Sequence, residues 1–218
     1  EGSGPYGPYG EFICGGAGDT PDTTPDQGNP GGTGRGRSKH PGNSFQKYMG
    51  GGGGGGHTAA GGASNLEPNG ASQGGTGGAG TPTCITGATT IYGGGGGGAS
   101  GGGPGANPVA SNSPLSGNAP GGVGGGGAGG GGGPLGTPQS TAGSVSTGGG
   151  GGSSQTDSDC TPGQGSKGGS GIVILRAPGP AGPTLSVSPG CNSKATLPAP
   201  EGGCTVLTFT KTGKVYIG

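Results

Sequence analysis

The chain has no tryptophan, one methionine, five tyrosines and three phenylalanines. Ile, Leu, Val and Phe together make up only 23 of 218 residues, well below the roughly 20% that marks an ordinary globular composition. A large hydrophobic core is therefore excluded. Charge is equally scarce. Nine basic and nine acidic residues cancel, and charged residues are 8% of the chain. Phosphate binding needs a basic excess, so nucleic acid is not an expected partner. The short cluster Arg35-Gly36-Arg37-Ser38-Lys39-His40 reads as a solvated turn. No apolar run approaches the ~18–20 residues of a membrane span, so no membrane insertion is expected.

Site chemistry is scarce too. His40 and His57 have no acidic or cysteine neighbour at ligand spacing, and no Ser-His-Asp arrangement can be nominated. Lys167 and Lys214 lie beside glycines but lack the strand, helix and Ser/Thr context of a phosphate loop. Asp19, Asp22 and Asp26 lack the spacing of a calcium loop and read as a solvated turn. The chain is expected to have no catalytic residue, no metal site and no cofactor.

Glycine is what the chain has, at 70 residues, joined by 21 prolines. It is clustered, in runs at Gly50–Gly56, Gly93–Gly98, Gly124–Gly127, Gly129–Gly133 and Gly148–Gly152. Collagen is excluded, because a triple helix needs glycine at every third position and only Gly4-Pro5-Tyr6-Gly7-Pro8-Tyr9-Gly10 keeps that period. Such a composition is that of a disordered linker, yet disordered chains usually stay solvated by net charge, and this one is neutral. Its backbone groups must then be paired. Polyglycine satisfies this as extended left-handed helices resembling polyproline II, with three residues per turn. Unobstructed amides and carbonyls on each helix can bond to neighbouring rods.

Alternation marks short strands between the runs. Glu11–Cys14, Ser44–Met49 and Cys84–Tyr92 are read as strands, the last two feeding directly into polyglycine. Gly171–Arg176 reads as a strand buried on both faces and Thr184–Ser188 as another. Cys204–Thr210 and Lys214–Ile217 flank Lys211-Thr212-Gly213 and are read as a hairpin. No amphipathic helix is found. The expected fold is β: a short-stranded, sandwich-like module with long polyglycine segments and loops. Residues 1–176 form the glycine-rich body, 177–203 a Pro-rich connector and 204–218 the C-terminal hairpin. Five widely spaced cysteines, Cys14, Cys84, Cys160, Cys191 and Cys204, suggest disulfides and an oxidising compartment, with Cys191 and Cys204 the first pair to join.

Gly168-Gly169-Ser170-Gly171-Ile172-Val173-Ile174-Leu175-Arg176 resembles the closing strand of the glycine-rich domains of phage tail-fibre adhesins and related viral and environmental surface proteins. Pro41-Gly42-Asn43-Ser44-Phe45, ahead of the first glycine run, is similar to a second segment of that family. Cys204–Ile217 resembles the family's opening hairpin, yet here it follows the closing strand. The displaced order implies either one repeat of a tandem chain or a hairpin donated to the next subunit. Both give linear assembly. The resulting expectation is a non-enzymatic structural subunit of an extracellular or virion-surface fibre that associates with itself through Val206, Leu207, Phe209, Val215 and Ile217. The alternative is a host-recognition adhesin whose loops contact a cell-surface receptor.

Overall fold

The computed structural model describes residues 12–38, 47–66, 72–101, 118–131, 140–154, 165–179, 184–188, 192–198 and 203–218. Within them the chain is all-β with small antiparallel sheets and no helix. The strands are β1 (Phe12–Ile13), β2 (Gly34–Ser38), β3 (Lys47–Gly50), β4 (Asn65–Leu66), β5 (Ser72–Gln73), β6 (Thr81–Thr83), β7 (Thr90–Tyr92), β8 (Val173–Ala177), β9 (Leu185–Val187), β10 (Ser193–Thr196), β11 (Thr205–Phe209) and β12 (Val215–Ile217). They form sheets β1-β2-β3, β4-β5, β6-β7, β10-β11-β8 and β12-β9.

Between the strands the glycine-rich segments run as extended rods, held by hydrogen bonds that recur every third residue. Gly51, Gly54 and His57 donate to Ala99, Gly96 and Gly93, whereas Gly75 and Gly78 donate to Gly51 and Gly54. Neighbouring amides of one rod reach different partners: Gly94 bonds to Gly124 and Gly95 to Gly78, then Gly97 to Gly127 and Gly98 to Gly75. That threefold alternation is the symmetry of a polyproline II helix, whose polar groups project in three directions. The directions of these pairings show that successive rods alternate, with 29–33 and 93–100 running one way and 50–57 and 74–80 the other.

Three of the rods, 93–100, 124–130 and 148–153, run parallel and close a ring of donors. The first donates to the second through Gly94, Gly97 and Ser100, the second to the third through Gly127 and Gly130, and the third back to the first through Gly150 and Ser153. Each member of the trio begins on a glycine with positive φ: Gly93 at 74°, Gly124 at 100° and Gly148 at 67°. Only glycine enters that region without steric cost, so these positions fix where the chain reverses.

Spacing inside the bundle explains the composition. A Cβ built on Gly97 would stand 2.2 Å from the carbonyl oxygen of Ala119, and one on Gly32 would stand 1.9 Å from that of Gly62. Rods approach until Cα hydrogens face carbonyl oxygens, a contact that supplements the N–H···O bonds. Side chains enter only where they replace a backbone bond or fill a gap. Ala119 and Ser100 are fully buried, and the Ser100 hydroxyl accepts the amide of Gly74 at 2.9 Å.

The two ends of the bundle differ. Tight reversals at 57–59, 123–125 and 145–148, with the β6-β7 hairpin, share one end, the turn end, where the chain also leaves Ser170 for β8. At the opposite end lie β1-β2-β3 and β4-β5 and the residue pairs 38/47, 66/72, 101/118, 131/140 and 154/165, from which the longer connections depart.

The C-terminal region departs from expectation in two ways. β11 and β12 do not form a hairpin with each other: β11 is the central strand of β10-β11-β8, and β12 pairs with β9. Asn192 redirects the chain between them. Its Oδ1 accepts the amides of Thr210 at 3.2 Å and Lys211 at 3.4 Å, its Nδ2 donates to the Ser188 carbonyl, and Gly213 packs against it and the Phe209 ring. The stretch read as a connector thus supplies β9 and β10. The strand expected to be buried on both faces is not: among the described residues β8 pairs with β11 alone, and Val173 is 58% exposed.

Candidate assembly surface

β11 carries much of the small apolar core among the described residues. Val206 and Leu207 are 3% and 1% exposed, with Leu185 and Leu197 buried beside them. Register places Leu207 opposite Leu175 and Lys194, and Lys194 crosses to the next sheet to donate to the Leu185 carbonyl at 2.6 Å. The other face of β11 shares its side with Arg176, whose guanidinium donates to the Cys84 carbonyl at 3.1 Å and ties this sheet to the β6-β7 turn. Val206 and Leu207 are therefore consumed within their own chain. Phe209 is half-buried.

Val215 and Ile217 stand differently. With Tyr216 they make β12 exposed at every position, Ile217 to 81%. In the other C-terminal sheet β8 exposes Val173 and Leu175, and among the described residues it pairs with β11 alone. Val123 and Val145, in the tight reversals, are also exposed. All of these lie at the turn end; among the described residues Phe12 alone of the exposed large apolar side chains lies at the other, 5.1 Å beneath the Arg35 guanidinium. Loop composition gave no warning of this asymmetry, since the valines are isolated in sequence and only the rod reversals bring them to one end.

Charge at the turn end is mixed, with Asp19, Asp22 and Asp26 in the loop leading into the 29–33 rod and Arg176, Lys194, Lys211 and Lys214 around the C-terminal sheets. Asp19 organises its loop. The Thr23 hydroxyl and amide and the Gln27 amide all donate to its carboxylate, which lowers its pKa to about 2, the Thr23 hydroxyl contributing most. Asp19 itself sits at φ 46°. His57 and Thr81 share a side-chain hydrogen bond that holds the 57–59 reversal against β6. Among the described residues no group of histidine, cysteine and acidic side chains is arranged to hold a metal ion.

Cys14 and Cys84 are exposed thiols, and the Cys84 sulfur lies 3.2 Å from the Thr89 hydroxyl. They stand at opposite ends of the bundle, beyond the ~7 Å Cα separation a disulfide can span. No disulfide joins the described residues. The Cys204 carbonyl accepts the Leu197 amide, and the expected partner Cys191 lies outside the described residues, as do Cys160 and the 41–45 segment. Comparison with known protein families, with curated proteins and with solved structures finds no match.

Proposed function

We propose that the chain is a non-enzymatic structural subunit of an extracellular or virion-surface fibre, with the rod bundle as its rigid body and the turn end as its contact to the next copy. The observation that carries this reading is the exposure of Val123, Val145, Val173, Leu175, Val215, Tyr216 and Ile217 at one end, with β8 pairing among the described residues with β11 alone. An edge strand with alternating apolar side chains accepts an added strand, which contributes ladder hydrogen bonds and side-chain anchors together. β11 is occupied by its own sheet, so the contact falls on β8 and β12 and not on a donated β11. The resemblance of Gly168–Arg176 to the closing strand of phage tail-fibre glycine-rich domains supports a surface location. Electron microscopy of the wild type should show filaments, and Val173→Lys with Leu175→Lys should leave isolated particles. Filaments of normal length in the double variant would contradict the reading.

A second reading, a host-recognition adhesin, is favoured by the departure of the longer connections from the end opposite the apolar surface. A bundle fixed at its turn end would leave the opposite end free for recognition, and recognition residues are commonly carried on loops. Isolated wild-type particles that bind cells, and lose binding when 102–117 is replaced by a short Gly-Ser linker, would establish this reading in place of the first.

A further inference from the structure

A groove of about 390 Å³ runs along the bundle, with the 93–97 segment as its floor and Gly52, Gly54 and Gly55 on one wall and Gly148, Gly150, Gly151 and Ser153 on the other. Its lining carries almost no side chains, so it cannot select for charge or for apolar bulk. It presents unused backbone instead. The amides and carbonyls of Gly52, Gly55 and Gly151 have no hydrogen-bond partner among the described residues, nor has the amide of Gly96. The last lies between Gly54 and Gly150, 3.3 and 2.8 Å from where their Cβ atoms would be, and so faces the groove. Gly52 and Gly55 are three apart, which is the interval at which every other rod in the bundle is engaged. The groove has the geometry of a lattice position awaiting one more rod.

An occupant must be extended, repeat every three residues, and bring glycine to the groove, since a Cβ between rods meets carbonyl oxygens near 2 Å, as at Gly32 and Gly97. Gly4-Pro5-Tyr6-Gly7-Pro8-Tyr9-Gly10 has that pattern. Its prolines favour polyproline II, and a threefold helix puts Gly4, Gly7 and Gly10 on one side with the tyrosines off it. Distance permits the match. The segment joins the described chain at β1, two strands from β3, which leads into Gly52. Two strand spacings are about 10 Å, and eleven residues in polyproline II reach about 34 Å.

We propose that the groove between the 50–57 and 148–153 rods is the docking site of the chain's own N-terminal segment, residues 1–11. Amide exchange of the full chain labelled at glycine tests this. Gly52, Gly55, Gly96 and Gly151 should exchange at least ~100-fold more slowly than free glycine. Deleting residues 1–11 should abolish that protection while Gly97 and Gly127 keep theirs, and a synthetic peptide of residues 1–11 should restore it. Because deletion could disturb the bundle, Gly7→Val in the full chain provides a second arm: it should release the same four amides, whereas Tyr6→Ser with Tyr9→Ser should not. Equal exchange in all these variants would overturn the proposal. So would protection in the shortened chain that grows with protein concentration, which would mark a second copy as the occupant.

Discussion

The amide of Gly97 donates to the carbonyl of Gly127 at 2.8 Å across thirty residues of sequence, and Gly127 in turn donates to Gly150 at 2.8 Å. This relay contains no side chain at all. It makes backbone pairing, and not apolar burial, the main organising interaction of the body, in keeping with a buried hydrophobic set confined to Ala119, Leu185, Leu197, Val206 and Leu207 among the described residues.

Glycine should therefore be irreplaceable inside the bundle and replaceable outside it. Gly97→Ala places a Cβ 2.2 Å from the Ala119 carbonyl and 2.7 Å from the Gly129 amide, neither of which can move alone. Overpacking a rigid interior costs about 1–3 kcal/mol or more, and a backbone clash belongs at the top of that range. A Cβ at Gly171 meets nothing within 4 Å. Gly171→Ala should stabilise by about 0.4–1 kcal/mol through the unfolded chain. Chemical denaturation of the two variants checks the contrast.

Two buried serines should respond oppositely to alanine. Ser64 is 1% exposed and its hydroxyl has no hydrogen-bond partner, so Ser64→Ala should be neutral or slightly stabilising. Ser100→Ala removes the acceptor of the buried Gly74 amide and should cost about 1–3 kcal/mol. Equal melting temperatures for the two variants would count against the role given to Ser100.

The Asp19 loop should loosen in acid. Its folded pKa lies near 2 and below its ordinary value of 3.8, so its contribution is fully present above pH 4 and is lost as pH falls through about 2. Protection of the Thr23 and Gln27 amides, measured against their intrinsic exchange rate at each pH, should fall across that window. Asp19→Asn should already show faster exchange at neutral pH, and an unchanged rate would separate the loop from the carboxylate.

Much of the body was legible in the sequence, because polyglycine in a neutral chain leaves its backbone as the only source of order. The fold class and the rod conformation follow from Gly50–Gly56 and Gly93–Gly98 on that argument alone. Which rods touch does not, since glycine carries no side chain to specify a neighbour and the register is set by reversals such as Gly93 and Gly148. The strand pairing at the C-terminus was hidden for another reason. Lys211-Thr212-Gly213 has the local chemistry of a hairpin, and Asn192, distant in sequence, overrides it by capturing the amides of Thr210 and Lys211. Val206 and Leu207, expected to self-associate, are buried in their own sheet instead, because an apolar strand segment does not say whether it fills an internal sheet or a neighbour's.

The central claim is that distant glycine runs bond to one another through their backbones at every third residue. Scalar coupling across hydrogen bonds between ¹⁵N and ¹³C′ nuclei measures it directly. Couplings should connect Gly94 with Gly124, Gly97 with Gly127, Gly127 with Gly150, and Gly150 with Gly94, with slow exchange at each donor. Fast exchange at these amides and no coupling between the runs would contradict the account.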